Sequence, residues 1–305
     1  MQILKRTYCI ILFFFFTQHY LYSQNDIQIS QYMFNKMYFN PAFTGDENYM
    51  NASLLMRKQW VGIETAPTTQ VLNADMFVER LGGVGLSVIN DKLGYEKSLN
   101  IRLMYAYHKY FEDKSKLSFG IGGGFINRSL DGSKLIYEDK TIIDPNGLYN
   151  VQNTMTPTID LGIKYSNQKY TLGASITHTF TSIKNATQTN EPRHIYFYGN
   201  YNFTLNEKVQ IIPSVLVKSS GFITTYEFNT NLVYLNKFYG GLSYRKQEAF
   251  VILLGLNITN NLKIRYSYDF NTGPAYQSKS TGSHEIMLSG FLFKNTKKYK
   301  SPRYL

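Results

Sequence analysis

The sequence is poor in several things, and each shortage excludes a class of protein. It has one cysteine, Cys9, in 305 residues. That rules out an internal disulfide framework and any cysteine-rich metal centre. Charged residues are only 17% of the chain, below the usual quarter. A disordered chain needs high charge and few aromatics, and a soluble helical enzyme needs charge on its outer helix faces. No run of 18 apolar residues follows residue 24, so no transmembrane helix is expected. A mean hydropathy of −0.27 points away from a bundle of membrane helices too. Tyrosine (26) and phenylalanine (21), by contrast, are abundant.

The first residues form a separate object. Lys5 and Arg6 precede a short apolar core from Ile10 to Phe16, and Ser23 is a small residue at a cleavage point. This is the layout of a secretory signal peptide over residues 1–23. The apolar run is too short to span a bilayer, and His19, Tyr20 and Tyr22 break it. Cys9 precedes the apolar core, so it is not placed as a lipid acceptor. Export without cysteine suits an envelope protein, with net charge still basic after Lys5 and Arg6 are lost.

Beyond residue 24 a period of two recurs. Leu99, Ile101, Leu103, Tyr105 and Tyr107 alternate with Asn100, Arg102, Met104, Ala106 and His108. One face is apolar and the other mostly polar, as a strand between two environments requires. The same reading applies to Ile159–Tyr165, Tyr170–Ile176, Tyr226–Tyr234, Phe250–Ile258 and Leu262–Phe270. Turn signals such as Asn90-Asp91, Glu112-Asp113-Lys114, Ser166-Asn167 and Asn260-Asn261 separate the runs. About fourteen strands of roughly ten residues result (12–16 are compatible), beginning near 49, 68, 83, 97, 116, 156, 169, 194, 208, 223, 237, 249, 261 and 284. The longest connection falls at about 130–155, with others near 181–192 and 271–283.

Two all-β folds share this alternation. In a soluble sandwich the apolar rows pack inward. In a transmembrane antiparallel β-barrel they face lipid, and the polar rows line the lumen. Strand length, aromatics near strand ends (Tyr105, Tyr107, Tyr110, Tyr196, Tyr198, Tyr201, Tyr266, Tyr268) and Phe291 and Phe293 in the last strand favour the barrel. The expected division is a signal peptide (1–23), an N-terminal periplasmic segment (24–48), the barrel (49–293) and a basic tail (294–305). Pro213 inside a strand calls for an edge or a bulge, and the last strand is ambiguous, with Ile286, Leu288 and Leu292 on one face and Met287, Phe291 and Phe293 on the other.

The N-terminal stretch carries a set of short elements. They are Gln31-Tyr32-Met33-Phe34-Asn35, Asn40-Pro41-Ala42 with Gly45, Arg57 with Gln59-Trp60 and Gly62, and Ala66-Pro67-Thr68. Gly83-Val84-Gly85-Leu86-Ser87 follows, then Asn90-Asp91-Lys92-Leu93-Gly94. Physically, Asn40-Pro41-Ala42 is a turn-forming break and Gly45 permits a second reversal. Gln31–Phe39 reads as a segment plugging or capping the periplasmic mouth. In this order the set resembles the PorP/SprF family of Bacteroidetes outer-membrane proteins over residues 28–95. Glu64-Thr65 stand where that pattern has a glycine-containing stretch. The resemblance implies a multi-pass outer-membrane barrel of the type IX secretion system. Its partners would be the secretion machinery, outer-membrane lipid and a secreted cargo, a large adhesin or an enzyme, with gliding motility a common context. It also implies a structural or partner-contacting role for Gln31, Tyr32, Asn40, Pro41, Ala42, Gly45, Arg57, Gln59, Trp60, Gly62, Pro67, Asn90, Asp91 and Gly94.

Catalytic motifs are missing: no Gly-x-Ser-x-Gly, no phosphate-binding loop and no His-Glu-x-x-His occurs. No enzymatic activity, cofactor or nucleic-acid partner is expected. His108, His178, His194 and His284 lack ligand spacing and read as isolated, so no metal is expected. A lumenal serine–histidine hydrolase needs a serine and two or more histidines to converge. Gly120, Gly122, Gly123 and Gly124 read as glycines easing strand curvature. Arg102, Lys164, Lys218, Lys263, Arg265, Asp160, Glu227 and Asp269 read as lumen-facing. They line either a selective pore, as in a passive porin or fatty-acid-type transporter, or a salt-bridged closure. The tail Lys294–Arg303 reads as a solvated basic segment or a periplasmic docking site.

Overall fold

A computed structural model describes residues 26–47, 49–135, 149–179, 192–221, 223–273 and 280–294. The expected signal peptide, the tail beyond Lys294 and residues 136–148 of the 130–155 loop lie outside the described residues.

Fourteen antiparallel strands form a closed barrel. They are β1 (Tyr49–Lys58), β2 (Thr68–Val78), β3 (Gly82–Leu93), β4 (Glu96–Tyr110), β5 (Lys116–Asp131), β6 (Val151–Ser166) and β7 (Tyr170–Thr177). Then come β8 (His194–Tyr201, continued by Phe203–Thr204), β9 (Val209–Ser219), β10 (Thr224–Tyr234) and β11 (Phe238–Arg245). β12 (Ala249–Asn257), β13 (Leu262–Asn271) and β14 (Ser283–Lys294) complete the sheet. Each strand pairs with its sequence neighbours, and β14 closes on β1 from Tyr49↔Lys294 to Lys58↔His284. Closure leaves no sheet edge in lipid, which no open sheet achieves.

Exposure decides between the two all-β readings. Along β4, Leu103 is 68% exposed and Arg102 beside it 2%. A sandwich would bury the leucine; here the apolar row is the outer belt, as an outer-membrane barrel requires. Connections at the end where β1 begins are short (79–81, 111–115, 167–169, 235–237, 258–261), whereas 59–67, 132–150, 178–193 and 272–282 lie at the other end. Short turns mark the periplasmic side of such barrels and long loops the extracellular side.

The irregular positions have local causes. In β9 the ladder to β8 runs through Ser214↔Asn200 and resumes at Ile211↔Phe203, so the gap falls across from Pro213, which has no N–H to donate. β6 begins five residues earlier than its sequence pattern suggests and passes through Pro157. Among the described residues it has no strand ladder there except to β5, because the β7 ladder starts at Leu161↔Ile176, and proline is tolerated at such an edge. β14 is apolar on both faces because Ile286 and Leu288 face outward while Met287 packs in the lumenal core and Phe291 lines a lumenal cavity; the ladder to β1 shifts register between Met50 and Asn51.

The N-terminal segment does not hang below the barrel. Residues 26–46 run inside it, starting among β7–β9 at the extracellular end and leaving beside β2, β3, β5 and β6 at the periplasmic end. Its polar groups reach partners on the lumen wall, so the expectation of a separate periplasmic segment or cap gives way to a lumenal one. Two single 3₁₀ turns, Lys36–Tyr38 and Pro41–Phe43, are its only helical elements.

Candidate functional site: the lumenal segment and the extracellular rim

The upper part of the segment is held by charge. Ser30 is its centre. The Ser30 hydroxyl donates to Asp269 Oδ2 at 2.7 Å and accepts from Arg57 Nη1 at 2.9 Å and Arg245 Nη2 at 3.0 Å. The amides of Ser30 and Gln31 donate to the two Glu285 oxygens at 2.9 and 2.8 Å. Arg57 bridges Asp269 (2.8 Å) and Glu285 (3.1 Å), while Arg245 pairs with Glu227 at 2.9 Å. All six side chains are buried. Buried charge is tolerated only when paired and hydrogen-bonded, and here every carboxylate meets a guanidinium. Glu227 and Asp269 occupy the lumen face as the alternation predicts, and Arg57, named only by the family resemblance, joins them there. Ser30, Arg245 and Glu285 were missed, although the same period of two places Arg245 and Glu285 inward on their strands.

The lower part is held by shape. Asn40 caps the Pro41–Phe43 turn by accepting from the Ala42 amide at 2.9 Å. Its Nδ2 donates to the carbonyls of Ile163 and Ala174, both at 3.2 Å. The turn sits directly on the wall: a Cβ at Gly120 would lie 2.2 Å from the Ala42 nitrogen, and one at Gly162 would lie 2.0 Å from Asn40 Oδ1. Gly120 is therefore a seat for the turn, beyond any part in strand curvature. The exit is equally close. Gly45 has φ +62° and its α-carbon region abuts Gly83, while its amide donates to Asp75 Oδ2 at 2.7 Å. Between the two ends lies an aromatic cluster of Tyr32, Phe39, Phe43, Tyr196 and Tyr198, with ring centroids 5.7–6.2 Å apart. Asp46 then pairs with Lys116 and Lys164 at the periplasmic end.

Arg102 binds Asp160 at 2.6 Å and the Tyr38 carbonyl at 3.1 Å. Lys218 donates to the Asp26 carbonyl and to Gln28, both at 3.1 Å. Of the charges read as lumen-facing, Lys218, Lys263 and Arg265 form no ion pair among the described residues. Arg265 instead stacks 4.0 Å from the Phe34 ring and 4.7 Å from Tyr239. Lys263 and Arg265 both line a polar cavity of about 320 Å³ beside Lys36, Asp46 and Asp75.

The motif residues thus divide into two groups. Gln31, Tyr32, Asn40, Pro41, Ala42 and Gly45 belong to the lumenal segment, and Arg57 receives it. The others gather at the extracellular rim. The Gln59 amide donates to the Pro67 carbonyl at 3.0 Å, closing the β1–β2 loop. Trp60, at φ +49°, donates its amide to Ser283 Oγ at 3.1 Å. Gly62 follows at φ +103°. The Gly94 amide, in the β3–β4 turn, donates to the Thr65 carbonyl at 3.0 Å. Thr65 stands in the glycine-containing stretch of the resemblance and itself adopts φ +61°, a conformation glycine takes without cost. Just below, Thr69 donates to Asp91 at 2.5 Å and Asn90 to Gln70 at 3.3 Å.

Two histidines read as isolated come together. His178 and His194 flank the β7–β8 connection, with ring centroids 6.2 Å apart, and share a site with Asp26. His108 bonds Ser118 at 2.7 Å and the Thr44 carbonyl at 2.9 Å. Its Nε2, facing a carbonyl, carries the ring proton and holds the lumenal segment, while Nδ1 accepts from the Ser118 hydroxyl of β5.

A sequence model of the type IX secretion system membrane proteins PorP/SprF matches residues 21–289. No curated protein sequence matches the chain. Among solved structures, the CymD monoaromatic hydrocarbon channel has 11% identity and a TM-score of 0.53, covering 86% of this chain and 93% of its own. The toluene transporter TbuX of Ralstonia pickettii has 12% identity and a TM-score of 0.51, covering 84% and 93%. At such identities the likeness is one of fold, the outer-membrane barrel. The family match extends from before the lumenal segment to within the last strand, and on it the chain belongs to the PorP/SprF family of type IX secretion system membrane proteins.

Proposed function

We propose that this outer-membrane barrel acts without catalysis, supporting secretion or surface attachment of a partner adhesin or enzyme of the type IX system. The observation that carries the reading is the filled lumen. A segment locked by Arg57, Arg245, Asp269 and Glu285 above and by Asn40 below makes the barrel a rigid platform. The partner then meets surfaces outside the lumen. On the extracellular side these are the rim loops around Trp60, Gly62 and Gly94 and the β5–β6 ribbon. That ribbon extends past the β7 ladder, with Val151 and Met155 exposed. The short turns at the other end face the machinery in the periplasm.

Deleting the gene should abolish surface display of the cognate cargo, measured by immunofluorescence on intact cells. Normal display in the deletion strain overturns the reading. A passive porin or fatty-acid-type transporter is the second reading, favoured by the fold shared with CymD and TbuX. Planar-bilayer recordings separate the two: steady conductance by the unmodified protein supports the transporter, and its lack supports the platform.

A further inference from the structure

Most of the lumenal charges described above are paired with one another, but one further group has the composition of a ligand set. Asp26, His178 and His194 each offer a metal-binding atom, and these atoms all lie within 4.8 Å of one another. Both histidines are buried, and they come from opposite sides of the β7–β8 connection, while Asp26 comes from the lumenal segment. We infer that these three residues form a divalent-cation site, of the zinc class, that fastens the extracellular end of the lumenal segment to the barrel wall.

Two imidazole nitrogens and one carboxylate oxygen suit zinc, with a fourth position left for water. Bonds of about 2.0–2.1 Å place tetrahedral ligands about 3.3 Å apart, so the group closes by little more than an ångström around the ion. The supporting contacts fit this role. His178 Nδ1 lies 3.1 Å from Thr158 Oγ1; with the hydroxyl accepting, the Nε2 lone pair is free to bind. Metal-bound histidines characteristically have the other ring nitrogen fixed in this way. The His178 backbone is held at φ +57°, unusual for a residue with a side chain, and its amide donates to Asp160 Oδ1 at 3.0 Å. Asp160 is itself anchored by Arg102 at 2.6 Å. His194 Nε2 accepts the Asp26 amide at 3.1 Å, which places the ring proton on Nδ1 and leaves Nε2 unprotonated. Binding exchanges that one hydrogen bond for a coordination bond. Tyr196 donates to Asp26 Oδ2 and the Ile27 amide to Oδ1 at 2.8 Å, which steadies the carboxylate.

The inference is independent of the secretory role. Its test uses the full chain purified in detergent, stripped with EDTA, dialysed and titrated with Zn²⁺ alone. Calorimetry should give one equivalent per barrel, and Co²⁺ substitution should give the intense visible bands of a tetrahedral site. His178→Gln and His194→Gln should each lose that equivalent. Thr158→Val should weaken binding about tenfold, as the loss of an outer contact does. His284→Gln, outside the group, should bind as the unmodified protein does. Heat-modifiable gel mobility checks that every variant is folded, so a loss of binding is not a loss of the barrel. Zn²⁺ should also raise the unfolding midpoint of the unmodified protein but not that of His178→Gln/His194→Gln. Failure of the unmodified protein to retain Zn²⁺, or equal binding by that double variant, overturns the site and leaves a hydrogen-bonded latch.

Discussion

The two ends of the lumenal segment are secured by different physics. Above, Ser30 and Gln31 enter a dense set of paired charges. Below, the Asn40-Pro41-Ala42 turn lies against glycine backbone with no charge between them. The charged end gains its strength from completeness: remove Arg57 and Glu285 loses its counter-charge, while Asp269 keeps only the longer contact to Arg245 at 3.4 Å. The shaped end gains its strength from the lack of side chains, so adding atoms is what damages it. The largest effect is therefore expected at Arg57. Arg57→Met leaves the buried Glu285 without its guanidinium and should cost about 3–5 kcal/mol, the usual penalty for breaking a buried pair from one side. Denaturant titration followed by gel mobility measures it. Adding Glu285→Gln should recover part of the loss, and strict additivity in that double-mutant cycle would break the charge account.

At the other end the informative change is an insertion. Gly120→Val drives a side chain into the Pro41–Ala42 backbone, where a single Cβ would already stand 2.2 Å from the Ala42 nitrogen. Overpacking of this kind costs about 1–3 kcal/mol, but the wall strand is held by its own ladders to β4 and β6. The turn should yield before the barrel does. Planar-bilayer recordings should show conductance in Gly120→Val that the unmodified protein lacks. A variant that unfolds without conducting would mean that the segment and the wall form one cooperative unit. Asn40→Ala removes the cap and two wall contacts while adding no bulk, and should cost about 1–2 kcal/mol.

What the sequence reveals follows the same division. The strands are legible because lipid on one side and a polar interior on the other impose a period of two. All fourteen expected starts fall within five residues of the observed ones, and the largest error is β6, where Pro157 hides the edge-paired start. The motif residues were also visible, but their division between lumen and rim was not. Ser30 meets Asp269 and Glu285 more than 230 positions away, and no local pattern encodes that distance. Gly120 and Gly162 read as strand glycines because the backbone they accommodate belongs to another part of the chain. The approach of His178 to His194 depends on barrel register, which alternation does not fix.

The smallest effect on stability should come from outside both ends. Met155 is 65% exposed on β6 beyond the β7 ladder, where among the described residues the strand pairs only with β5 (Asn127↔Met155). Met155→Ser should shift the unfolding midpoint by less than about 0.5 kcal/mol, as exposed substitutions do. If the ribbon is where cargo docks, the same change should reduce surface display of the partner while barrel level and gel mobility stay constant. Display that falls with Arg57→Met or Gly120→Val but not with Met155→Ser would instead place the cargo's dependence on the filled lumen. The ranking of effects on display need not follow the ranking on stability, and a reversal between the two is the clearest sign that a surface binds rather than holds the barrel together.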